Sequence, residues 1–185
     1  MEKLIKQSLL SGILVGIGVI INIVSCNNYI GAMLFSFALI TIIKCNLKLY
    51  TGKIGYYTTS KTFSLFLILI YNFVGVILPT IGFVLCNSKV YKNFLNTSNK
   101  KFSNGFIELF LYSLMCGILI FISVYTKDLM ITIFCIMIFI LSGYEHCVAD
   151  FPFLVINFSL VNMFKFTVII AGNSIGSIVT RYLLE

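Results

Sequence analysis

Long apolar runs separated by short polar breaks make up almost the whole of this chain. An α-helix needs about 20 predominantly apolar residues to cross the hydrocarbon core of a bilayer. Such runs predict six transmembrane helices, at approximately 8–26, 29–47, 63–86, 105–125, 129–160 and 163–184. Because these runs leave little of the 185 residues for loops, the pattern predicts one all-α transmembrane domain over 1–185.

Two of the predicted helices are interrupted by polar groups. The second breaks up over 44–55, and the fifth breaks over 142–150 before it resumes. The helix after each break carries an Asn-x-x-Gly mark, at 72–75 and at 173–176. Interrupted helices at matching positions of inverted repeats mark a substrate path. The pattern therefore predicts an aquaporin-like fold of two inverted three-helix repeats, in which the broken second and fifth helices face each other near the midplane.

Composition supports a membrane protein and narrows its partners. Hydrophobic residues make up 59% of the chain and charged residues only 10%, whereas soluble domains carry about 25% charged residues. The net charge of +7 comes from basic residues that lie mostly in the short connections. Membrane orientation and the attraction of anions explain this better than nucleic-acid binding does. We therefore expect the lipid bilayer as a partner and no nucleic acid.

The six cysteines and the amino terminus indicate no further site. Most of the cysteines lie inside apolar runs without metal-ligand spacing, which favours buried free thiols over a metal centre or a disulfide framework. The first apolar run has no small-residue cleavage site and is closely followed by another, so we interpret it as a true span rather than a signal peptide. No metal and no cofactor is expected.

The most informative polar residues lie within the fifth predicted helix, over 143–150. This stretch contains His146, the only histidine of the chain, with Glu145 and Asp150, while the apolar runs on both sides carry no charge. A charged side chain at mid-bilayer costs about 2.5 to 3.5 kcal/mol on insertion scales, so such residues are usually functional. A lone buried histidine is more often only a satisfied core residue. An imidazole beside a helix break is nevertheless suited to hydrogen-bond or protonate a passing anion, and we predict His146 as the central pore residue.

Two residues at the first break each have two interpretations. Thr51 either caps the following helical turn, a common role of threonine, or presents its hydroxyl to the substrate. Tyr50, with apolar neighbours such as Phe35 and Leu39, either forms an apolar constriction or is ordinary packing. The position of both residues in the break favours the pore.

Two charged residues, one in the second break and one shortly before the fourth predicted helix, are also ambiguous. We interpret Glu145 as a partner that fixes the loop, because an ionised carboxylate facing the pore would repel anions. Lys101 is either part of a solvated run of loop charges or part of a basic vestibule that raises the local concentration of anions.

These marks resemble the formate/nitrite transporter family of pentameric anion channels. The break in that family's second helix reads Leu-Phe-Thr-Gly, and here 49–52 reads Leu-Tyr-Thr-Gly. Its fifth helix carries Gly-Phe-Glu-His-x-x-Ala-Asn, and here 143–150 reads Gly-Tyr-Glu-His-Cys-Val-Ala-Asp. The Asn-x-x-Gly marks at 72–75 and 173–176 match its third and sixth helices, and a lysine shortly before its fourth helix matches Lys101.

The resemblance implies a homopentamer with one pore in each protomer and a small anion as the substrate. It also implies a multi-pass protein of the inner (plasma) membrane with both termini in the cytoplasm. At the substrate pore it places His146, Thr51 and Tyr50. As pore support it places Glu145, Asp150, Lys48, Asn72 and Asn173, and in the vestibule it places Lys101.

Three positions depart from the family pattern. Asp150 stands where the fifth-helix motif ends in asparagine, and Lys48 stands where an acid usually precedes the second-helix break. Gly117 occupies a fourth-helix position where asparagine is common. Lys48 and Asp150 either form a swapped charge pair or mark a subgroup with a different substrate.

Three functions fit a small polytopic protein, and the residues favour the first. It is a passive or proton-coupled channel for small monovalent anions of weak acids, such as formate, nitrite or hydrosulfide. A neutral-solute channel of the aquaporin or ammonium type would need paired Asn-Pro-Ala loops or a facing pair of histidines, which are missing. An intramembrane zinc protease would need His-Glu-x-x-His, which does not occur. An intramembrane serine protease would need a Gly-x-Ser that acts together with a histidine, and we do not interpret any residues of this chain as such a pair, so we predict no enzyme.

Overall fold

The computed structural model describes residues 1–185 and contains only helices and their connections. Two short 3-10 turns, at 54–56 and 59–61, follow the third helix. The helices are α1 (Glu2–Val24), α2 (Asn28–Lys44), α3 (Tyr50–Lys53), α4 (Thr62–Cys86), α5 (Ser88–Ser103), α6 (Phe106–Thr126), α7 (Leu129–Leu141), α8 (Cys147–Ile156) and α9 (Leu160–Leu184). Four of them, α1, α4, α6 and α9, are long and apolar enough to cross a membrane.

Side-chain caps fix where several helices begin. Asn27 accepts hydrogen bonds from the first amides of α2, and Asn87 does the same for α5. The carboxylate of Asp128 accepts from the Ile131 amide at 2.9 Å and starts α7. These short polar side chains satisfy backbone donors that have no partner within the helix. They explain why helix starts coincide with the polar breaks in the sequence.

Some boundaries differ from those expected from the sequence. The stretch 87–104 lies between the predicted third and fourth helices, where no helix was predicted, and it contains the helix α5 (Ser88–Ser103). Its buried positions recur every four residues at Val90, Phe94, Ser98 and Phe102, so it is an amphipathic helix with one apolar stripe. The second break is shorter than expected, because residues 147–150 already belong to α8.

The ends of α2 and α7 are built in the same way. Each helix closes on a residue with left-handed backbone, Asn46 with φ 51° and Gly143 with φ 69°. The next amide, that of Leu47 or Tyr144, donates to a carbonyl of the last helical turn at 2.9 Å in both cases. This is the glycine-type helix cap in which a residue with positive φ reverses the chain. The two breaks are therefore specific helix ends rather than flexible loops.

Glycines allow α1 to pack closely on α4 and α6 on α9. A Cβ atom on Gly12 would lie 2.2 Å from the Asn72 carbonyl oxygen, and one on Gly117 would lie 2.3 Å from that of Asn173. Both distances are too short for any side chain. Contacts of this kind are typical of helices that pack through small residues in membranes.

Candidate functional site

Asn72, from the middle of α4, holds the start of α3 in place. Its Oδ1 accepts a hydrogen bond from the Tyr50 amide at 2.8 Å. Its Nδ2 donates to the Lys48 carbonyl at 2.9 Å and to the Ser8 carbonyl on α1 at 2.7 Å. One fully buried amide side chain thus satisfies the backbone of the first break and joins it to two long helices.

Asn173, from the middle of α9, does the same for α8. Its Oδ1 accepts from the Cys147 amide at 2.8 Å, and its Nδ2 donates to the carbonyls of Glu145 at 2.8 Å and Ser113 at 2.7 Å. The chain positions relative to each helix start match those around Asn72. Because irregular backbone at membrane depth must be satisfied by protein groups, these two asparagines are what makes the breaks stable.

The two breaks meet at a single polar contact. Thr51 Oγ1, at the start of α3, lies 3.0 Å from Nε2 of His146, which directly precedes α8. The Ala149 amide donates to His146 Nδ1 at 3.1 Å. Because a backbone amide can only donate, Nδ1 is the acceptor, and the neutral ring carries its proton on Nε2. The imidazole therefore directs an N–H group at the hydroxyl of Thr51.

Tyr50 is tied away from this contact. Its hydroxyl lies 2.9 Å from Ser174 Oγ, and that serine donates its own proton to the Ile170 carbonyl at 2.7 Å. Tyr50 is therefore the donor of the shared bond. The hydroxyl of Tyr50, around which we predicted an apolar constriction, is thus anchored on α9.

Aromatic rings pack on the other side of His146. The ring of Phe139 lies 6.0 Å from the imidazole, and Phe35 packs edge-on against Phe139 at 5.8 Å. Leu39 is buried as well. Sequence reasoning identified Phe35 and Leu39 but missed Phe139, because α7 is apolar at nearly every position and its pattern singles out no aromatic residue.

A cavity of about 450 Å³ opens on one side of His146; we call it the Lys101 mouth. The cavity is lined by the aromatic residues Phe35 and Phe139. It is also lined by Glu145, which precedes His146 in the chain, and by Ala149, whose amide donates to His146. The charged residues that line it are Lys100, Lys101, Glu108, Glu145 and Asp150.

Lys101 is the centre of a buried ion cluster in this mouth. Its ammonium lies 2.5 Å from Glu145 Oε2 and 3.0 Å from Asp150 Oδ1, and both carboxylates are almost completely buried. Burial acts to lower the pKa of Lys101, but Asp150 and Glu145 outweigh it and raise that pKa above its usual range, so the ammonium stays charged. Lys101, which we predicted to lie in the vestibule, therefore lies on the helix α5, and its charge is paired with Glu145 and Asp150.

Lys48 and Asp150 do not form a swapped charge pair. Asp150 is paired with Lys101, and the Lys48 ammonium takes part in no ion pair. Lys48 contributes its backbone carbonyl to the Asn72 contact instead. The two departures from the family pattern therefore lie in separate environments.

A second, smaller cavity of about 220 Å³ lies on the Thr51 side; we call it the Lys53 mouth. Gly52, the neighbour of Thr51, lines it together with Lys53, Lys127 and Asn46, and no carboxylate does. Neither lysine forms an ion pair. Thr51 and His146 themselves line neither cavity. Their chain neighbours do: Glu145 lines the Lys101 mouth and Gly52 lines the Lys53 mouth, and the two mouths differ in charge.

A buried polar contact between two cavities, built on paired helix breaks, is the organisation of a membrane channel. The sequence profile described as formate/nitrite transporter matches residues 1–184. The chain belongs to the formate/nitrite transporter family. It is accordingly a multi-pass membrane protein of a family of transporters and channels, which are not enzymes, and it serves anion transport.

Solved structures show the same fold. A "Pentameric formate channel with formate bound" superposes with a TM-score of 0.78 at 19% identity, covering 99% of this chain and 93% of that one. An "FNT family ion channel" superposes with a TM-score of 0.73 at 18% identity, covering 97% and 87%. No curated protein sequence matches the chain significantly.

Proposed function

We propose that the chain conducts small monovalent anions of weak acids, such as formate, nitrite or hydrosulfide, through a pore within each protomer. The contact between His146 Nε2 and Thr51 Oγ1 carries this proposal. The chain neighbours of its two partners line the two cavities, Glu145 the Lys101 mouth and Gly52 the Lys53 mouth. An anion that reaches the contact finds an N–H and a hydroxyl as hydrogen-bond donors in an otherwise apolar wall.

We propose six membrane spans for this pore, in two inverted three-helix repeats. In this arrangement α2 with α3 forms the broken second span, and α7 with α8 forms the broken fifth. Support comes from the matching ends of α2 and α7, the matching roles of Asn72 and Asn173, and the matching glycine contacts at Gly12 and Gly117.

The geometry suggests how an anion would cross the wall. In the neutral ring the Nε2–H group of His146 is occupied by Thr51, and an arriving anion, being a stronger acceptor, would displace that hydroxyl. Thr51 would then turn its own proton to the anion. A proton taken from hydronium in one mouth and returned to water in the other would let the anion cross as the neutral acid, which avoids the cost of a charge at mid-membrane.

We propose a homopentamer in the inner (plasma) membrane with both termini in the cytoplasm. The structural neighbour titled a pentameric formate channel supports the assembly. Large apolar side chains such as Phe37, Phe134 and Phe164 are more than half exposed on the single chain, as expected for surfaces that face lipid or another protomer. In this orientation the Lys53 mouth faces the cytoplasm and the Lys101 mouth faces outward.

Isotope flux into liposomes tests the proposed function. Vesicles with the purified protein should take up labelled formate, nitrite or hydrosulfide faster than protein-free vesicles, and water and ammonia at the protein-free rate. Ser103→Ala, on the exposed surface of α5, serves as a matched control that should retain full flux. Faster water or ammonia movement without anion flux would instead favour a neutral-solute channel.

A further inference from the structure

The ion cluster of the Lys101 mouth contains one more carboxylate than cation. Lys101 Nζ contacts an oxygen of Glu145 and an oxygen of Asp150 at the same time. In the family pattern asparagine stands at the Asp150 position, and a lysine with one glutamate would be neutral. With both carboxylates ionised, the cluster in this chain carries one net negative charge.

The second oxygen of Asp150 marks where this excess charge lies. Oδ2 is buried and has no hydrogen-bond partner. A buried charged oxygen without a donor is unfavourable, and two adjacent ionised carboxylates repel each other. A single proton taken up by Asp150 relieves both problems and makes the cluster neutral.

No other charged group in contact with Asp150 compensates for the excess. Two buried thiols lie near Asp150, Cys116 on α6 and Cys147 at the start of α8. Thiols are ordinarily neutral near pH 7. Lys100 on α5 and Glu108 on α6 line the same cavity with opposite charges, and neither forms an ion pair with Asp150. The remaining ionisable residues that line the cavity are Tyr112 and Tyr144.

We propose that protonation of Asp150 decides whether the Lys101 mouth admits an anion; this inference rests on the proposed channel function. With the proton on Oδ2 the cluster is neutral, and the anion passes toward His146. Without it, the net negative charge faces the cavity and repels the anion. The proton comes from water in the mouth and returns to it, and no bond to the substrate forms. Asp150 is thus a specificity-determining residue that this chain has and the family pattern lacks.

Formate flux into vesicles at equal pH on both sides tests the proposal. Flux is measured from about pH 5 to pH 8, the range in which a shifted group changes its charge near physiological pH. The flux into protein-free vesicles is subtracted at each pH. Wild-type flux should fall about tenfold toward the alkaline end, as expected for one unit charge close to the path. Asp150→Asn should lose this fall and exceed wild type about tenfold at the alkaline end. Glu2→Gln, an exposed carboxylate that lines neither cavity, should follow the wild-type profile.

These measurements distinguish failure of the proposed channel function from failure of the proposed role of Asp150. Absence of formate flux in wild type at every pH would refute the proposed function. Flux in wild type with an identical pH profile in Asp150→Asn would refute the role of Asp150 alone.

A spectroscopic measurement covers the case in which Asp150→Asn does not assemble. The chain has only two aspartates, Asp128 and Asp150. In an Asp128→Asn protein with isotope-labelled aspartate, infrared difference spectra between acidic and alkaline pH report on Asp150 only, and asparagine keeps the cap of α7. A labelled protonated carboxyl band that disappears on alkalinisation supports the proposal, and its absence at acidic pH overturns it.

Discussion

The two mouths of the proposed pore have similar positions relative to the central contact but opposite charge chemistry. In the Lys101 mouth the buried ammonium contacts two carboxylates. In the Lys53 mouth Lys53 and Lys127 line the cavity without any acid. The net charge of +7 therefore says little about what an anion meets, because pairing decides which lysines present a field to the pore. The comparison suggests that one mouth is controlled by protonation and the other simply concentrates anions.

Breaking the cluster of the Lys101 mouth should have the largest effect on the protein. Lys101→Met leaves Glu145 and Asp150 buried without their cation, and removing one partner of a buried pair typically costs about 3 to 5 kcal/mol. We expect a clear loss of thermal stability in detergent, measured by circular dichroism, and a lower yield of oligomer. The control is Lys100→Met, since Lys100 is exposed and unpaired. Equal stability of the two variants would mean that the cluster contributes nothing to the fold.

Removing the imidazole of His146 should have the next largest effect, and this effect should be on transport rather than on stability. His146→Phe keeps an aromatic ring beside Phe139 but deletes the Nε2 donor. Loss of one charge-assisted hydrogen bond at the barrier, about 1.5 to 3 kcal/mol, should reduce formate or hydrosulfide flux tenfold or more. Because the residue lies between both cavities, influx and efflux should fall together. A well-folded variant with the parent flux and pH dependence would remove His146 from the pore.

The residues at the two helix breaks could be predicted from the sequence. The Asn-x-x-Gly marks and the polar breaks led to Asn72, Asn173, Thr51 and His146, which the structure brings to the two breaks. One Asn-x-x-Gly mark alone is a weak signal, but its recurrence in the helix after each break is informative, because irregular backbone at membrane depth needs protein groups to satisfy it.

The side-chain pairing in the Lys101 mouth could not be predicted from the sequence. Lys101 was expected either in a solvated run of loop charges or in a basic vestibule, and neither interpretation included its partners Glu145 and Asp150. Its partners lie 44 and more residues away, on elements whose relative placement depends on the whole packing. Long-range charge pairing of this kind leaves no mark in a local pattern.

Weakening the Lys53 mouth should have the smallest effect and the strongest dependence on salt. Lys53→Gln removes one unpaired charge from the cavity wall, so anion flux should fall about two- to threefold at low ionic strength. At about 1 M salt the screening length shrinks to about 3 Å, and the variant should then match wild type. Lys100→Gln in the opposite mouth is the control, and it should change flux less because the neighbouring cluster sets the charge there. Liposome flux measured across a salt series checks this, and a Lys53→Gln effect that persists at high salt would indicate a structural role for Lys53 instead of attraction of anions.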